Sequence, residues 1–178
     1  LREITKTYRE RAGGPITVLD NVSLDIEAGV FAAISWPSGC GKSTLLLIAG
    51  SLLQPDSGQV IIAGEDFAAL NKEEKASRRA GTIGFVFQRF HLLPYLTVAE
   101  NIVAAAIAIK PRPADPVGRA EELMKEMGIL HRRHHLPGEL SVVEMQRTAL
   151  ARALFNKPKV ILADEPTGNL DPENSDIV

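Results

Sequence analysis

Residues 30–35, 83–87 and 160–163 are short apolar runs with little polar alternation. That is the pattern of strands buried on both faces, and it predicts a central, mostly parallel sheet. Val22-Ser23-Leu24-Asp25-Ile26 instead alternates apolar and polar positions, and residues 59–63 follow a Pro-Asp-Ser-Gly turn at 55–58. Both predict strands of an antiparallel, solvent-facing sheet. Val117, Ala120, Leu123, Met124 and Met127 recur at helical spacing, with Glu121 and Lys125 as an i,i+4 pair and Gly128 as a stop signal. A second helix is predicted from Ser141, where Ser141-Val142-Val143-Glu144 has the S-x-x-E capping-box form, through Arg147, Leu150 and Leu154 until Pro158. Residues 89–156 therefore read as mostly helical, inserted between strands.

Composition narrows this picture. With 178 residues, 45% of them apolar and 24% charged, the chain suits one globular domain with a real core. A formal charge of −2 provides no broad basic surface, although Arg78-Arg79 and Arg132-Arg133 are local clusters, so nucleic acid is not an expected partner. The single cysteine, Cys40, forms no internal disulfide, which favours a cytosolic setting. The longest apolar runs, 45–53 and 102–109, fall short of the roughly 20 residues that span a bilayer. The chain starts at Leu1 and stops after Asp176-Ile177-Val178, and it reads as a fragment cut at its C-terminal end.

The predicted strand at 30–35 runs through Trp36-Pro37-Ser38 into Gly39-Cys40-Gly41-Lys42-Ser43-Thr44 and then the apolar helix Leu45-Leu46-Leu47-Ile48. Strand, glycine-rich turn and helix form a phosphate-binding loop. Glycines let successive N–H groups face phosphate oxygens, and the helix N-terminus favours anions. Lys42 reaches β and γ oxygens, Ser43 ligates Mg²⁺, and Thr44 contacts the α phosphate. The pattern G-x-x-x-x-G-K-[ST] asks for glycine where Trp36 stands. If that position turns left-handed, a non-glycine residue costs about 1–2 kcal/mol and weakens phosphate binding. Cys40 reads as a replacement for serine, the alternative being a thiol made reactive at a helix N-terminus.

Residues 160–163 deliver Asp164 and Glu165 at a strand's C-terminal end, where α/β sheets place ligands. Asp164 would hold the Mg²⁺ shell and Glu165 would orient or deprotonate an attacking water, the group that in-line phosphoryl transfer requires. His131, His134 and His135 lack the cysteine or carboxylate spacing that completes a metal site, and Arg132-Arg133 beside them repels cations; a solvated loop is the expectation.

Leu140-Ser141-Val142-Val143-Glu144-Met145-Gln146-Arg147, followed by Ala149-Leu150-Ala151-Arg152-Ala153-Leu154, resembles the signature segment of ABC ATPases. Gln88 is similar to that family's Q-loop, Asn169-Leu170-Asp171 to its D-loop, and Tyr8 to the aromatic that stacks on adenine; a packing role for Tyr8 is the alternative. The resemblance covers essentially the whole chain and implies an α/β P-loop cassette in three parts. Residues 1–88 and 157–178 would form the core and an antiparallel β subdomain, and 89–156 a helical subdomain. It further implies ATP and Mg²⁺ as cofactors, with Gln88 sensing both. In that family two cassettes dimerise head to tail, which implies that Ser141, Val142, Val143 and Glu144 face the partner's ATP.

Residues 87–101 and 163–171 narrow the resemblance to the lipoprotein-release, macrolide-export and cell-division branch. That branch implies an integral membrane permease as second partner and a place on the inner face of the cell membrane. Residues 90–96 are apolar and read either as core or as the patch that docks the permease. The chain departs from the family where Val142 and Val143 replace two glycines and Met145 a glutamine. Bulk that displaces a phosphate by about 1 Å costs on the order of 10²-fold in rate. The expected function is the ATP-hydrolysing subunit of a transporter, and the alternative is a nucleotide-binding module with impaired turnover. A DNA-repair or chromosome ATPase is disfavoured, since no long heptad insertion separates Lys42 from Asp164.

Overall fold

The computed structural model describes residues 1–9, 14–35, 37 and 39–166, so Trp36, Ser38, Asn169, Leu170 and Asp171 lie outside the described residues. The chain divides into two compact units, Leu1–Lys75 and Ala76–Val178.

In the first unit, strand β1 (Arg2–Arg9) runs antiparallel to β2 (Pro15–Val22) on one side and to β3 (Ser57–Gln59) on the other. The antiparallel sheet is thus present, but its second strand lies earlier than the alternation at 22–26 suggested. Asn21 takes a positive φ of 51°, which bends the strand, and beyond it Leu24 only exchanges backbone bonds with Leu1. The apolar stretch 59–63 is also split. Gln59 ends β3, and β4 (Ile61–Ile62) turns through Ala63 and Gly64, both at positive φ, into β5 (Glu65–Asp66). Asp56 ties the preceding turn to β1, accepting from Lys6 Nζ and the Thr7 amide at 2.7 Å each. Ile4, Leu19, Val60, Ile62 and Phe67 are buried together with Leu45 and Ile48 of helix α1 (Lys42–Ala49).

The run at 30–35 forms no strand. Val30, Phe31 and Ile34 are exposed, Phe31 by 96%. A strand exists only where a neighbour takes its N–H and C=O groups, and no described strand pairs with this segment. Apolarity alone does not supply that neighbour.

Helix α2 (Lys72–Thr82) leads into β6 (Ile83–Val86) of the second unit, which pairs in parallel with β7 (Val160–Ala163) in register Ile83↔Val160 to Val86↔Ala163. The parallel pairing agrees with the two apolar runs. β6 is largely buried, whereas β7 alternates half-buried and exposed positions, so only β6 has the two-sided burial expected.

Between them lie α3 (Val98–Val103), α4 (Pro116–Glu126) and α5 (Val142–Leu154). Val98, Ile102, Leu123, Met124, Ile129 and Phe155 form their shared core. Ala120, Leu123 and Met124 face inward as the spacing predicts, but Val117 is exposed, and Glu121 pairs with Arg133 at 2.8 Å. A cation from the following loop therefore holds the carboxylate that the i,i+4 rule assigned to Lys125. α5 closes before Pro158, as the Lys157 amide donates to Leu154 O and Lys157 turns to φ 51°.

α5 packs on β6 across Gly84. A Cβ there would lie 2.6 Å from Ala153 O and 2.7 Å from Ile161 Cδ1. Gly84→Ala is expected to destabilise the chain by about 1–3 kcal/mol, measured as a lower urea midpoint at unchanged slope. An unchanged midpoint would show that α5 shifts freely over the strands.

Candidate functional site

The segment predicted to bind phosphate lies in the first unit. Gly39 and Gly41 both take positive φ, 83° and 93°, and Gly41 is the N-cap of α1. A Cβ on Gly41 would stand 2.6 Å from Val18 Cγ1 and 3.0 Å from Val18 O, so β2 closes over the turn and admits only glycine. Among the described residues no side chain caps α1, and its first turn carries no acidic group. A helix end of this kind attracts anions through its dipole and outward N–H groups. Pro37 O accepts from Cys40 Sγ at 2.7 Å and from Lys42 Nζ at 3.4 Å, and Ser43 is exposed. Thr44 is half-buried, and Leu45 and Ile48 anchor the helix. Tyr8 stands exposed on β1 with Lys6 Nζ 5.9 Å from its ring centroid.

The second unit brings Gln88, Asp164 and Glu165 together at the C-terminal end of its parallel strands. The Asp164 amide donates to Val86 O at 2.9 Å, extending the ladder one step past β7. Gln88 Nε2 donates to Glu165 Oε2 at 3.0 Å, and Glu165 sits at a positive φ of 46° with its side chain exposed. One strand end thus presents two adjacent carboxylates and a neutral amide that orients one of them, a set able to hold a hard cation and a water.

Two positioning residues here went unforeseen. Arg152 donates to Phe90 O at 2.6 Å and His91 O at 2.7 Å, and both acceptors are held at positive φ; burial lowers its guanidinium pKa. Asn101 is fully buried. Its Nδ2 donates to the carbonyls of Leu93, Leu96 and Thr97 while its Oδ1 accepts from the Leu93 amide, fixing a turn that leaves Leu93, Pro94 and Tyr95 exposed, Tyr95 by 73%. Residues 93–95 are therefore surface rather than core, whereas Phe90, Leu92 and Leu96 of the same stretch are half-buried. The legible local signal is the Thr97 and Glu100 capping box at the start of α3.

The signature turn keeps its cap despite the two valines. Ser141 Oγ accepts from the Glu144 amide at 3.3 Å, and Glu144 Oε2 receives the Ser141 amide at 2.8 Å and its hydroxyl at 2.9 Å. Arg132 Nε donates to the other oxygen, Oε1, at 2.7 Å. The Ser141 amide first, and then Arg132, bring the Glu144 carboxyl down to about 2. Val142 projects outward, 41% exposed, and Val143 is half-buried. Met145 packs partly against the helical core, and buried Gln146 donates to Pro166 O.

Comparison with known proteins decides the family. The family model for ABC transporters matches residues 19–168. The chain belongs to the ABC transporter family. It is of the ATP-binding, ATP-hydrolysing subunit type, with the α/β P-loop cassette fold. It is 51% identical over 173 residues to the Lipoprotein-releasing system ATP-binding protein LolD 1 of Rhodopirellula baltica, covering 97% of this chain and 75% of the relative. Against the LolD protein of Roseobacter denitrificans it is 47% identical over 178 residues, 100% of the chain and 78% of the relative. Its structure resembles the dimeric structure of MJ0796, a bacterial ABC transporter cassette, with TM-score 0.90 and 41% identity, covering 99% of this chain and 77% of that one. A post-hydrolysis dimer of the same cassette with ADP and Pi resembles it with TM-score 0.90 at 39% identity.

Two outcomes follow for this cassette. Gly41→Ala meets both strain at φ 93° and a clash with Val18, so nucleotide affinity should fall on the order of tenfold or more in a fluorescent-ATP titration, while a surface control, Gly138→Ala, binds as the parent does. For Glu144, the folded pKa lies below the ordinary 4.5, so its contribution to stability is full above that value and is lost as pH falls toward about 2. Urea unfolding between pH 5 and 2 should show a shallower decline for Glu144→Gln than for the parent; parallel curves would contradict it.

Proposed function

We propose that this cassette is the motor subunit of a lipoprotein-releasing transporter, binding Mg-ATP in a dimer of cassettes and coupling its hydrolysis to a separate integral membrane permease. One ABC domain spans 1–178, with 89–156 as its helical subdomain. Trp36, Pro37, Ser38, Gly39, Cys40, Gly41, Lys42, Ser43 and Thr44 hold the phosphates and Tyr8 the adenine. Ser43, Gln88 and Asp164 serve the Mg²⁺, Glu165 the attacking water, and Asp171 the D-loop. Ser141, Val142, Val143 and Glu144 face the ATP of the second copy. The exposed Leu93, Pro94 and Tyr95 are the permease-docking patch, and the cassette works on the cytoplasmic face of the membrane. Among the described residues no helix is long and apolar enough to cross a membrane.

The observation that carries this reading is the bond from Gln88 to Glu165 at the end of the parallel strands, since it aims a carboxylate where a water must be oriented. Glu165→Gln should lower phosphate release from Mg-ATP by about 10²–10⁴-fold with ATP affinity retained. A rate within threefold of the parent would reject Glu165 as base. A second reading, binding with little turnover, is favoured by the exposed Val142 on the first turn of α5. Trp36→Gly and Val142→Gly/Val143→Gly decide between them: reversions that raise the rate tenfold support impaired turnover in the parent, and equal rates in all forms remove that reading.

A further inference from the structure

The signature turn contains a conflict of charge. The Ser141 hydroxyl, proposed above to meet a phosphate of a second copy, donates a hydrogen bond to Glu144 Oε2 at 2.9 Å. Glu144 is thus an anion on the same helical turn that an anionic phosphate must approach, and like charges brought together there repel.

The arrangement around Glu144 removes that conflict by dividing its two oxygens. Oε2 faces the cap, bonded by the Ser141 amide and hydroxyl, while Oε1 takes Arg132 Nε at 2.7 Å. Arg132 does not belong to α5. It comes from the short 3₁₀ turn Leu130–Arg132, whose position is set by buried Ile129 in the helical core. Its Nη1 contacts His135 Nε2 at 3.2 Å, and His131 Nε2 lies 3.6 Å from Oε1. The guanidinium thus approaches the carboxylate from outside the helix and leaves the exposed Ser141 accessible.

We propose that Arg132 is a positioning residue that neutralises Glu144, so that the first turn of α5 can receive the phosphate of an ATP held by a second copy of this chain. When the phosphate arrives, the Ser141 hydroxyl swings its hydrogen bond from Oε2 to a phosphate oxygen. Glu144 keeps the Ser141 amide and Arg132, so the cap survives the exchange and no proton is transferred. Sequence spacing gives no hint of this pair, because twelve positions separate its members.

The inference rests on the reading that Ser141 meets a phosphate in trans, and the test separates the two. ATP-driven dimerisation of the full chain is followed by light scattering, and nucleotide affinity of the dilute monomer by a fluorescent ATP analogue. Arg132→Gln should raise the Mg-ATP needed for dimerisation by about tenfold or more with monomer affinity unchanged. Arg132→Lys, which keeps the charge, should return to within about threefold of the parent, and Arg132→Gln/Glu144→Gln, which removes both charges, should recover most of what Arg132→Gln alone loses. A double variant as weak as Arg132→Gln alone would reduce Arg132 to loop packing and overturn the proposal, as would an Arg132→Gln protein that dimerises like the parent. If Ser141→Ala also dimerises like the parent, or the parent forms no dimer with ATP, the reading of the signature turn itself fails.

Discussion

The first N–H groups of an α-helix have no acceptor within the helix, and how each helix of this cassette meets that constraint organises its chemistry. α2 begins on Asn71, whose Oδ1 accepts the amides of Glu73 and Glu74 at 3.0 Å each. α3 is closed by Thr97 with Glu100, α4 by Asp115 and α5 by Ser141 with Glu144. α1 differs: among the described residues it begins on a left-handed glycine with no side-chain cap. A capped helix end is satisfied by its own chain. An end left without a side-chain cap, with glycines on either side of Cys40 and a lysine at its first position, is open to an anion, the role proposed for it above.

Residues further along α3 and α5 serve position. Asn101, one turn into α3, fastens the preceding turn through its four hydrogen bonds and thereby sets Tyr95 at the surface. Arg152, near the end of α5, holds Phe90 and His91 in backbone conformations that non-glycine residues rarely take. These two residues bracket the segment that follows Gln88, whose amide meets Glu165. The helical core therefore governs how the chain leaves the strand end where the carboxylates sit.

Legibility in the sequence followed the range of the interactions. The α5 cap could be read because Ser141 and Glu144 are three positions apart, and the cap formed although valines occupy the positions between them. β6 and β7 could be read from apolar runs, and their parallel pairing brought Asp164 and Glu165 to the strand end as expected. The run at 30–35 looked the same but has no described strand beside it, and it lies exposed. Glu121 with Arg133, Glu144 with Arg132, and Arg152 with two carbonyls about sixty positions away are tertiary choices that no local period encodes. The Gln88 bond to Glu165 spans 77 positions; Glu165 is legible from its place at a strand end, and Gln88 only through the resemblance to ABC ATPases.

The contrast between a helix end open to an anion and one closed by its own carboxylate is measured most directly by residue-resolved hydrogen exchange of the dilute, monomeric chain with and without Mg-ATP. Saturating nucleotide should slow exchange at the amides of residues 41–44 by at least about tenfold, while the first turn of α5 exchanges as before. Unchanged exchange at 41–44, or equal slowing at both helix ends in the monomer, would contradict the account.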